Sequence, residues 1–190
     1  MLAAALAGSL AIAAVNVSRE QAESFQRKLT QIVQQAQTSN ERERRTLVTE
    51  GEVNSYLRYK AGDQIPVGVT DTSIGIQPQG RLNGRAIVDL DVIRQRKGSG
   101  GWFDPMSYLT GRLPITASGV LHTADGMGRF ELTSAEVSGI PIPKTFLQEI
   151  VTFYTRTSST PDGINIDAPF ELPAEIRRID VEQAQATVVQ

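Results

Sequence analysis

The chain has no cysteine, which excludes disulfides, thiol nucleophiles and cysteine metal ligands. It has one histidine, His122, so any two-histidine metal site is excluded too. No serine stands in a G-x-S-x-G elbow to pair with that histidine. Aromatic residues are only 6%, with a single tryptophan, so Val, Ile, Leu and Ala must fill the interior. An excess of charge of one sign is also missing. Lys and Arg number 19 against 21 Asp and Glu, for a net charge of −2. A general nucleic-acid binder would carry a basic surplus, so no nucleic-acid partner is expected. Gly98-Ser99-Gly100-Gly101 lacks a following Lys-Ser/Thr and is no phosphate loop. From these absences no catalytic residue, no metal site and no cofactor are expected, and the protein is read as a non-enzyme.

What is present is a globular balance, 40% hydrophobic and 21% charged over 190 residues, enough for one domain with a substantial core. The N-terminal run MLAAALAGSLAIAAV is uncharged and shorter than the roughly 20 residues of a membrane span. It matches the apolar part of a signal peptide, with Ala11-Ile12-Ala13 as a small-x-small cleavage site, though a basic leading region is absent. Residues 1–17 are therefore read as a signal peptide or membrane anchor, against the plain alternative of a buried N-terminal helix. An exported protein, periplasmic or otherwise extracytoplasmic, follows from the first reading.

Residues 18–45 read as an amphipathic helix and linker. Ser18 and Gln21 have capping-box spacing, and Ala22, Phe25, Leu29, Ile32, Val33 and Ala36 form a stripe. The helix either packs on the domain or acts as a stalk above a membrane, and the polar run that follows it, with Glu41 to Arg45 alternating in sign, favours the stalk. Residues 46–190 form the main domain. Thr49 with Glu52 makes a second capping box.

From Pro66 the period changes to two. A slip in phase near Asp71 to Ser73 predicts a bulge. Pro78, Gly80, Asn83 and Gly84 mark a turn, and Arg85 to Gln95 alternates as a strand carrying Ala86, Val88, Leu90 and Val92 on one face. Asp89 and Asp91 fall on the other, as a wet face rather than a carboxylate pair for chemistry. Arg112 to His122 and Arg129 to Val137 are strands joined by a turn at Ala124-Asp125-Gly126. Between them Ser138 to Arg156 and the preceding strands suggest one architecture. Pro141 and Pro143 open a helix whose Phe146, Leu147, Ile150, Val151 and Tyr154 make one apolar face. Ile164, Ile166 and Ala168 read as a short strand, and Ile179 to Val188 as a final hairpin. The expectation is an α+β fold in which a long helix lies in a highly curved antiparallel sheet of five to seven strands. The aromatic stretch Trp102 to Leu109 is read as a core cap, or as a mouth or membrane contact through Trp102, Phe103 and Tyr108. Arg81, Arg85, Arg94, Arg96 and Lys97 either meet lipid headgroups or are solvated strand ends.

Three segments carry a family resemblance. LVTEGEVNSYL (residues 47–57), SGIPIPKTFLQEI (residues 138–150) and the closing LPAEIRRIDVEQAQATV resemble elements of bacterial cell-envelope proteins of the YpmS and LmeA groups, relatives of the tubular lipid-binding (TULIP) superfamily. The chain departs from that pattern at Gln183-Ala184, where a glycine-containing turn would be expected. The resemblance implies a TULIP-like domain that binds or transfers lipid without covalent chemistry. It implies a groove lined from the helix by Phe146, Ile150, Val151 and Tyr154, and from the sheet by Val88, Leu90, Ile115, Leu121, Phe130 and Leu132. The partners would be a lipid or other acyl-chain ligand and a membrane surface. The alternative function is an envelope interaction module in which the same ten residues are simply core.

Overall fold

The computed structural model describes residues 17–38, 42–92, 110–156 and 161–190. Its first helix, α1, is Arg19–Ala36, and Ser18 caps it by accepting the Gln21 N–H at 3.2 Å. Ala22 and Ile32 on its inner stripe are buried. Helix α2, Glu50–Tyr59, carries the complete reciprocal capping box of Thr49 and Glu52. The two helices pack together, with the Phe25 and Tyr56 rings edge to face at 5.2 Å. The expected stalk is thus corrected: the apolar stripe of α1 packs on α2 and the core, with only Val33 of the stripe left exposed.

The strands form two sheets, not one. The smaller has the order β1 (Arg45–Thr49), β9 (Gln185–Val189), β8 (Arg178–Glu182). Arg45 lies opposite Val189, so the start of the domain pairs with its end. The larger, antiparallel sheet runs β2 (Val69–Ile76), β3 (Arg81–Asp89), β4 (Arg112–Ala124), β5 (Met127–Val137), β6 (Ile140–Pro141), with β7 (Phe170–Glu171) also on β5. The predicted bulge is present, as a register shift between Thr70 and Ser73. A second shift falls between Ser118 and Gly119. The turn between β4 and β5 uses Asp125 and Gly126 at φ 49 and 80, the double left-handed arrangement that suits a tight hairpin.

Four expectations are corrected here. Asn83 and Gly84 belong to β3, because the turn closes earlier, at Gln79-Gly80. The strand also stops earlier than Gln95. Asp89 accepts the Val92 N–H at 3.1 Å and starts a helical turn, so Leu90 leaves the sheet and is buried. The helix expected from Ser138 is α3, Lys144–Thr155, with Pro143 as its N-cap; Pro141 instead pairs with Glu136 in β6. Ile164 to Ala168 is not a strand. The Gln148 carboxamide on α3 donates to the Ile164 carbonyl and accepts the Ile166 N–H, both at 2.9 Å, and so holds the segment without a strand partner.

The buried cluster is Ile32, Val48, Ile176 and Val188, flanked by Phe25, Val53, Leu172, Ala174 and Ile179. One buried cluster of the described residues therefore lies between α1, α2 and the smaller sheet; Ile76, Leu90 and Ala135 are buried as well, and α3 packs against β5. Thr123 joins the sheets: its Oγ1 donates to the Ile179 carbonyl at 3.0 Å and accepts the Ile179 N–H at 2.8 Å.

Candidate functional site

Strand register decides which side chains share a face, because cross-strand partners point the same way. In the larger sheet Ile76 faces Leu82, and Val69 faces Val88. Val88 faces Leu113, and Ala86 faces Ile115. Ile115 faces Val137, Gly119 faces Leu132, and Leu121 faces Phe130. The shift at Gly119 keeps Leu132 and Phe130 on this side; without it, strict alternation from Val137 would turn them over. One face is therefore apolar across four strands, and most of its side chains are only partly buried. The other carries Arg81, Asn83, Arg85, Thr116, Ser118 and His122.

Five residues expected to line a groove from the sheet, Val88, Ile115, Leu121, Phe130 and Leu132, share this apolar face. Leu90 does not, having left the strand. Phe130 lies across Gly119: a Cβ there would sit 2.5 Å from the ring and 2.5 Å from the Glu131 carbonyl oxygen. On α3, Val151 is partly buried, while the side chains of Phe146, Ile150 and Tyr154 lie outside the described residues. So do Trp102, Phe103 and Tyr108, Arg94, Arg96 and Lys97, and the apolar segment 1–16.

At the β2 end of this face a cleft of ≈ 790 Å³ opens between α2 and the sheet. Leu57, Ile65, Pro66 and Val67 line it beside Val69 and Ile74, which also belong to the apolar face. Arg58 and Asp71 stand in the same cleft. The contribution of the 65–67 segment was missed in the sequence, where the alternating run was read as a strand from Pro66; the strand begins only at Val69, which leaves Ile65, Pro66 and Val67 free to line the cleft. Leu121 lines a different recess, of ≈ 700 Å³, with Ile179 and Val181.

The titratable groups singled out in the sequence have structural partners. The Asp91 carboxylate accepts the Gly111 N–H at 3.0 Å, and Asp89 caps the turn after β3, so the two are not a pair on one strand face. His122 is exposed, 3.4 Å from Glu131. Glu52 is buried and accepts from Ser24 at 2.6 Å, Lys28 at 2.8 Å and the Thr49 N–H at 2.9 Å. Burial raises its pKa, and those hydrogen bonds outweigh burial and hold the carboxyl below the usual glutamate range. Among the described residues, no cluster of three or more His, Asp or Glu side chains could hold a metal ion, and no helix is long and apolar enough to cross a membrane. Compared with known proteins, the chain matches no protein-family model and no curated protein.

Proposed function

We propose that this protein binds a lipid, or another acyl-chain ligand, on the apolar face of its larger sheet and carries it at the cell envelope without covalent chemistry. The observation that carries the reading is the separation of core from face. The buried cluster sits between the helices and the smaller sheet, while the larger sheet keeps an apolar face on which Ile76 and Ala135 are buried and most other side chains are only partly covered. An acyl chain laid there would gain about 0.8 kcal/mol per buried methylene before ordering costs. The cleft beside Leu57 and Val67 is the way in, with Arg58 near an anionic headgroup. The resemblance to the YpmS and LmeA groups, the TULIP-like sheet it implies, and the leader-like segment 1–17 support the same reading.

The test is binding of a fluorescent phospholipid to the wild-type protein and to Ile115→Asn and Thr116→Asn, neighbours on opposite faces of β4. Wild type and Thr116→Asn should bind alike, and Ile115→Asn should lose at least tenfold while keeping its circular dichroism spectrum. A folded Ile115→Asn protein that binds like wild type overturns the assignment. A second reading, an envelope interaction module, draws on a different observation: Ile140, Met127 and Phe170 are exposed at the β5 edge of the sheet.

A further inference from the structure

Val17, the first described residue, lines the cleft between α2 and the larger sheet. The residue after it fixes its position. The Ser18 N–H donates to Ser55 Oγ at 3.1 Å, and Ser55 on α2 is fully buried. Residues 1–16, which carry no charged side chain, therefore enter the domain at the rim of that cleft. Arg19 is the first charged residue of the chain.

The exposed side chains at this entry point have the chemistry of a membrane interface. Tyr59 ends α2 and is exposed, and the guanidinium groups of Arg19 and Arg58 lie 5.3 and 6.0 Å from the centre of its ring. Arg58 also lines the cleft, together with the exposed Pro66 and Val67. A tyrosine settles at headgroup depth, with its ring against the acyl boundary and its hydroxyl in water. Arginines beside it reach the phosphates while their stems stay on apolar surface. Net charge is not what the rim offers, because Glu20, Asp63 and Asp71 offset Arg19, Arg58 and Lys60. It offers forked donors for phosphate oxygens next to apolar side chains.

We propose that this rim, made by Arg19, Arg58, Tyr59, Pro66 and Val67, seats on a phospholipid bilayer and is held there by segment 1–16. The far end of α1, next to Thr38, is about 27 Å away along the helix axis and lies outside the contact. The cleft then opens at the headgroups, where a lipid would enter. That last step rests on the lipid-binding reading above; the membrane contact itself does not.

The test uses the full chain and phosphatidylcholine vesicles. Because the chain has no cysteine, one environment-sensitive fluorophore can be placed at Lys60→Cys, beside Tyr59 and outside the cleft lining, or at Thr38→Cys. On vesicles the Lys60 label should shift to the blue and become shielded from aqueous iodide, and the Thr38 label should do neither. Replacing both Arg58→Ser and Tyr59→Ser, at exposed positions, should weaken the contact read at Lys60 about fivefold without changing the circular dichroism spectrum. Tyr59→Trp should keep it. Ile115→Asn should keep it too, so the groove reading and this one fail separately. A Lys60 label that stays in water while the chain floats with the vesicles, as when segment 1–16 alone holds the membrane, overturns the proposal. So does a chain that ignores the vesicles, as when segment 1–16 fills the cleft. Equal responses of the two labels, or a double variant that behaves as wild type, overturn it as well.

Discussion

The Asn54 carboxamide pairs with both backbone groups of Ile74: Nδ2 donates to the Ile74 carbonyl, and Oδ1 accepts the Ile74 N–H, each at 2.7 Å. A side chain on α2 thereby takes the place of a neighbouring strand at the outer edge of β2. Glu50 continues the substitution by accepting the Ile76 N–H at 2.6 Å, and the Ala184 N–H donates to the Ile76 carbonyl at 2.9 Å. The edge next to the apolar face is closed to stray pairing by these contacts.

Asn54→Ala should orphan both Ile74 groups in a part-buried setting. The expected loss is about 2–6 kcal/mol, each orphaned group costing about 1–3 kcal/mol. Chemical denaturation of the variant checks it. Melting unchanged from wild type would show that the edge does not depend on this pair.

Thr123→Val keeps the shape of the side chain and removes the hydroxyl that serves both Ile179 groups. A loss of about 1–3 kcal/mol is expected, with Thr123→Ser recovering most of it. The same denaturation measurement separates the two variants.

Glu52 sets a pH dependence. Its folded pKa lies below the unfolded one, so its contribution is complete above the ordinary glutamate range and is lost as pH falls through the folded value. Stability of wild type relative to Glu52→Gln should therefore be flat near neutrality and shrink on acidification. A difference that stays constant into acid would contradict the assignment.

Ala184 holds φ 57 in the β8–β9 turn, where the Glu50 N–H donates to its carbonyl at 2.8 Å. This is the turn at which the sequence lacks a glycine. Ala184→Gly should stabilise the fold by about 0.5–1 kcal/mol, since relief of the left-handed strain exceeds the added chain entropy. A lower melting temperature would argue against strain at this turn.

Local signals in the sequence were readable wherever the chemistry was local. The Ser18 N-cap, the Thr49–Glu52 capping box, the bulge near Asp71 and the Asp125-Gly126 turn each depend on a few adjacent residues, whereas the reciprocal half of the box expected at Ser18 is absent because the Ser18 N–H donates to Ser55 Oγ. What was not readable depends on partners far along the chain. Nothing in Arg45 to Thr49 indicates pairing with Gln185 to Val189, so the separate small sheet was missed. The stripe of α1 is the same for a packed helix and a stalk; only α2 decides between them. Ile164 and Ile166 alternate like a strand, but Gln148 satisfies their backbone first. Val88, Ile115, Leu121, Phe130 and Leu132 were grouped as a groove lining by the family resemblance, yet their common face depends on the shift at Gly119, which alternation along each strand does not reveal.

The central claim, a lipid held on the apolar face of the larger sheet, is tested most directly by mass spectrometry of organic extracts. The protein would be made from Val17 onward, keeping the Ser18 cap, and purified without detergent. A phospholipid or other acyl-chain lipid recovered in stoichiometric amount is the predicted result. A folded protein that yields no lipid, and takes none up from vesicles, would contradict it.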